Sequence, residues 1–111
     1  MYKRLLGQEP FLRLLSRSSA KSRKVLLQQA SKKELTTLFE ICLNIIKGNI
    51  PLTNTQLKTL KKHQKLIRAL SDKKISLRQK KLIVNQKGGA IGAVVGTIAS
   101  LVLPLLAKLI K

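Results

Sequence analysis

The sequence predicts an all-α protein, a small multi-helix domain followed by a C-terminal hydrophobic helix, and three observations carry that prediction. Hydroxyl residues stand three positions ahead of Glu or Gln at Ser31 with Glu34, Thr53 with Gln56 and Ser76 with Gln79. This is the reciprocal arrangement that caps helix N-termini. Behind these starts, aliphatic residues recur at steps of three and four, the helical period. The chain then closes on an uncharged run from Ala90 to Ala107.

Residues 1–30 read as a basic, partly helical segment. Glu9 and Pro10 open a helix with proline in its first turn, with Leu12 and Leu15 turned inward. The serines and cations from Ser16 to Lys24 interrupt it, and they read as a loop before a short helix around Val25 to Ala30.

Residues 31–87 read as a basic helical domain. In its first helix Leu35, Leu38, Phe39, Cys42, Ile45 and Ile46 form one apolar stripe. Gly48 suits a C-terminal cap, and Asn49-Ile50-Pro51 stops any continuation. In the second helix Leu57, Leu60, Ile67 and Leu70 face inward, while Lys58, Lys61, Lys62, Lys65 and Arg68 make a continuous basic face. The third helix is shorter, running from Leu77 through Lys80, Lys81, Leu82 and Ile83 to stop before Asn85.

Residues 88–111 hold a Gly-Gly joint and the hydrophobic tail. From Ala90 to Ile110 a helix would measure about 31 Å, the thickness of a hydrocarbon core. Gly92, Gly96 and Ser100 are spaced to let another helix come close. The tail is compatible with membrane association, with the central helix of the domain, and with self-association; Pro104 excludes none of the three.

The charge is one-sided. The formal net charge is +19, and of 23 Lys and Arg all but Lys108 and Lys111 lie ahead of Gly89. Between Lys47 and Gly89 the one acid is Asp72. Surfaces shaped only by solubility mix signs, so the expected partner is a polyanion, with Lys58, Lys61, Lys62, Lys65, Arg68, Lys73, Lys74, Arg78, Lys80 and Lys81 neutralising phosphates without reading sequence. Two Phe, one Tyr and no Trp leave little material for stacking bases.

The sequence carries no paired carboxylates, no Ser/His/Asp arrangement, no phosphate-cradling glycine loop and no zinc spacing, so neither an enzyme nor a metal or cofactor site is expected. His63 reads as a helix-boundary or phosphate-contacting residue. Cys42, the single cysteine, reads as a small core hydrophobe.

Gln86-Lys87-Gly88-Gly89 before Ala90 resembles the sites cut by adenovirus-type maturation proteases, since glycines let a strand thread a narrow cleft. The same glycines also suit a plain helix junction. The order basic segment, Lys-Gly-Gly, aliphatic tail is similar to the adenoviral precursor core protein X, the precursor of the Mu peptide. Gly88-Gly89-Ala90-Ile91-Gly92-Ala93-Val94 and Leu103-Pro104-Leu105-Leu106 carry that likeness.

Gly48-Asn-Ile-Pro-Leu-Thr, Lys61-Lys-His, Arg68-Ala-Leu-Ser-Asp-Lys-Lys-Ile-Ser and Lys87-Gly-Gly resemble small basic proteins of Maverick/Polinton elements and adintoviruses. The resemblance implies a late viral core protein that condenses double-stranded DNA, resides in the virion and host nucleus, and is cut after Gly89 by a maturation protease. It departs from the adenoviral peptide in being Lys-rich rather than Arg-rich. A membrane-active or membrane-anchored basic protein, inserting Ala90 to Ile110, is the alternative. Docking of that tail into a capsid protein is a third.

Overall fold

The computed structural model describes the backbone of residues 2–86 and 88–110 and the side chains of 5–86 and 90–107. Among these residues there are eight helices and no strand. They are α1 (Tyr2–Gly7), α2 (Glu9–Arg17), α3 (Ala20–Gln28), α4 (Lys32–Ile46), α5 (Asn54–Lys62), α6 (Gln64–Ser71), α7 (Leu77–Gln86) and α8 (Gly88–Ile110). The all-α expectation holds.

Local chemistry accounts for most starts and stops. In α4 the Glu34 N–H donates to Ser31 Oγ (3.1 Å) while the Ser31 N–H donates to Glu34 Oε1 (2.8 Å). The Thr53–Gln56 pair repeats this at α5, and the Ser76–Gln79 pair at α7. Each box satisfies donors that the first turn leaves without carbonyl partners. Helix α4 ends in a Schellman arrangement: the Gly48 N–H donates to the Ile45 carbonyl (3.1 Å) and the Asn49 N–H to that of Asn44 (2.9 Å). Gly48 has φ +76° there, which glycine adopts without cost.

Helix α3 departs from the sequence reading. It starts at Ala20, inside the stretch expected to be a loop, because Ser19 adopts an extended conformation and its hydroxyl accepts from the Ser22 N–H (3.2 Å). The serines there cap a helix rather than break one. The expected second helix is also divided. His63, at φ −115° and ψ 27°, separates α5 from α6. The break lets α5 reach α8 while α6 lies along α4, two partners that one straight helix would not meet.

The hydrophobic run is the central helix of this arrangement. Helix α8 lies along α2 and α3 and also touches α1, α4, α5 and α7. Ile91, Val94, Val95, Ile98, Ala99, Leu101, Val102 and Leu106 are all buried along one broad face of the helix, while Ala93, Ser100, Pro104 and Ala107 on the opposite face are exposed. Leu12 and Leu15 of α2, Leu27 of α3, and Leu35, Leu38, Phe39, Ile41 and Cys42 of α4 complete one continuous core. Residues 1–30 and the tail therefore share the core of 31–87. Pro104 lies on an exposed position within α8, which runs on beyond it to Ile110.

The small-residue spacing in α8 is occupied from within the chain. A Cβ on Gly92 would meet the Ala20 carbonyl oxygen at 3.0 Å, and one on Gly96 would collide with the Arg23 guanidinium. Arg23 reaches across α8 through that gap. Its Nε donates to the Leu15 carbonyl (2.7 Å), Nη1 to that of Gly92 (3.2 Å) and Nη2 to that of Ser16 (3.4 Å). One side chain of α3 thus ties the end of α2 to α8, at a close approach of the kind expected in a membrane but made here inside the protein.

Candidate nucleic-acid interface

Helices α5, α6 and α7 with the turn between the last two carry the expected cations. Lys58, Lys61 and Lys62 on α5, Lys65 and Arg68 on α6, Lys73 and Lys74 in the turn, and Arg78 and Lys81 on α7 are all exposed. The helical cations fall between or away from the buried Leu60, Ile67, Leu70 and Val84, and Lys73 and Lys74 extend from the turn. The face is not continuous as expected, because His63 splits it into two short faces on α5 and α6. His63 is thus a helix-boundary residue.

Lys80 is a correction. It is only 8% exposed, with Nζ 5.3 Å from the centre of the Phe39 ring. Leu77, Lys80 and Val84 fall at steps of three and four, so Lys80 occupies the inward face of α7. Burial lowers its pKa from the ordinary 10.5, and the nearby Asp72 carboxylate opposes that shift. The ammonium is held by a ring face and is not presented to a phosphate. Arg23, half-buried, has its guanidinium engaged with three carbonyls.

Asp72, the single acid of this region, is turned to local use. Its Oδ1 accepts from the Lys74 N–H (2.9 Å) in the turn after α6. Arg13, Arg17, Lys21 and Lys24 add exposed cations on α2 and α3, a contribution that sequence reasoning did not single out. Arg13 is paired with Glu9 one turn earlier.

At the joint, α7 ends at Gln86 and α8 begins at Gly88, so Gly88, Gly89 and Ala90 form the first turn of a helix. Lys87, part of the cleavage-like motif, lies outside the described residues. Cys42 is buried, and desolvation pushes its thiol up to about 12, as befits a core residue. Among the described residues no cluster of His, Cys, Asp and Glu is suited to a metal ion.

Protein-family models, curated proteins and solved structures yielded no match to this chain.

Proposed function

We propose that this protein binds and condenses double-stranded DNA without sequence specificity, as a core protein of an adenovirus-like virus or a Polinton-type element. The observation that supports this is the one-signed exposed surface of α5, α6 and α7, where nine side chains from Lys58 to Lys81 meet solvent and the single acid serves a turn. Such a field attracts phosphates and gains affinity by releasing counterions. With four acids in the whole sequence, there is little material for acid–base chemistry, which fits binding rather than catalysis. Residence in the virion and host nucleus, and cutting between Gly89 and Ala90 by a maturation protease, belong to the same reading.

Fluorescence anisotropy tests it. The full chain is expected to bind duplexes of unrelated sequence with similar affinity, and log K is expected to fall linearly with log salt, by about 0.9 for each phosphate neutralised. Replacing Lys61, Lys62 and Lys65 together by Gln should flatten that slope by up to about three phosphates' worth. Salt-insensitive binding, or strong preference for one sequence, would refute the proposal.

A second reading draws on α8, which is long and apolar enough, by length and composition, to cross a membrane. For that helix to insert, it would have to leave the core it fills. Flotation of the full chain with uncharged vesicles in high salt, where the cations are screened, would favour this reading over the first.

A further inference from the structure

Between α5, α6, α7 and the start of α8 the surface opens into a groove of about 520 Å³. This is within the range of about 300–1,000 Å³ in which small-ligand sites fall. Lys61, Lys62 and Lys65, all exposed, stand at its lip. Leu66, buried, and Ala69, Ile83 and Ala90, half-buried, supply its apolar lining and form the floor. No acid lines it among the described residues.

The lip and the floor ask for different chemistry. The lysines suit any phosphate or carboxylate. A duplex backbone resting on them, however, presents nothing apolar to cover four aliphatic side chains. An unstacked base would call for an aromatic platform, and the lining offers only the His63 ring, beside the lysines. What satisfies both parts is a molecule with an anionic head and a flexible aliphatic body.

We propose that this groove binds a single-chain anionic amphiphile, its carboxylate or phosphate monoester on Lys61, Lys62 and Lys65 and its acyl chain laid over Leu66, Ala69, Ile83 and Ala90. The site does not depend on the DNA reading. It shares lysines with that surface, but its floor has no part in phosphate binding.

Isothermal titration calorimetry of the full chain with decanoate, decyl phosphate and decanol, each below its micelle concentration, tests the proposal. One anion is expected to bind per chain, with the alcohol at least tenfold weaker. Each methylene added from octyl to decyl should tighten binding by about fourfold, the burial of one CH₂ group. Either anion binding supports the site, and the tighter head tells a free fatty acid from a lysophosphatidate.

Ala69→Phe fills the floor and is expected to weaken both anions at least tenfold while leaving salt-dependent DNA binding as it was. Ile83→Ser, a smaller change, should weaken them at least fivefold should the larger side chain prevent folding. Equal binding of octyl and decyl chains, several ligands per chain, or wild-type affinity in a folded floor variant would overturn the proposal. Failure of DNA binding would leave these results standing.

Discussion

Arg23 and Gly96 are specified together, since the guanidinium occupies the space a Cβ at 96 would need. Gly96→Val would expel Arg23 and leave the carbonyls of Leu15, Ser16 and Gly92 without that donor, so a loss of about 2–4 kcal/mol is expected in urea denaturation. Arg23→Met keeps the gap and removes only the hydrogen bonds, with an expected loss of about 1–2 kcal/mol. Cys42 gives a pH dependence of defined sign. Its thiol is raised by burial from 9.0 to about 12, so between these values the unfolded chain has released a proton that the folded chain retains. Stability on this account is flat below pH 9 and falls above it, by up to about 1.4 kcal/mol per pH unit. Comparing denaturation of the protein with that of Cys42→Ala isolates the effect from the titrating lysines. Lys80 was legible in principle, since its spacing from Leu77 and Val84 places it inward; its charge obscured its position. Lys80→Gln is therefore expected to leave DNA affinity unchanged, in contrast to substitution of Lys61, Lys62 and Lys65.

The helices show which signals are local and which are not. All three capping boxes form as read, because cap, partner and backbone lie within four residues and need no tertiary help. Gly48 is legible for the same reason. Ser31→Ala is expected to cost about 1 kcal/mol, and Gly48→Ala a similar amount because alanine resists φ +76°; thermal unfolding followed by circular dichroism measures both. The division at His63 was not legible. No proline or glycine marks it, and its cause lies in α5 and α6 having different partners, α8 and α4. Leu57, expected inward, is 39% exposed on the first of these two pieces. The start of α3 was misread because serine both disfavours helix interiors and caps helix ends, and only the backbone at Ser19 decides which. The groove between α5, α6, α7 and α8 was invisible in sequence, since its walls come from four separate stretches.

On the scale of the whole molecule, a sparse aromatic content and a strong positive charge would leave 89 residues poorly able to hold a core alone. Helix α8 supplies what is missing. Deleting residues 90–111 is expected to abolish cooperative unfolding and most helical circular dichroism, rather than to free a stable basic domain. Cleavage carries a related expectation. The Gly89–Ala90 bond lies in the first turn of α8, so a protease that needs an extended segment must wait for local opening. Cutting by an adenovirus-type maturation protease is expected to appear in mass spectrometry as loss of the intact 12.4 kDa chain, and Gly88→Val is expected to keep that chain intact. The products should stay together on a sizing column, because α8 remains packed against α2, α3 and their neighbours.

That packing makes α8 resemble a ligand tethered to its own receptor. While the joint is whole, its effective concentration is fixed by geometry, and the fold does not depend on how much protein is present. A single cut would turn the same contacts into a bimolecular equilibrium governed by mass action. Crowded together, the two pieces would remain one structure; diluted, they would part, and the midpoint of unfolding would come to depend on concentration. One peptide bond would then decide whether this protein senses how densely it is packed.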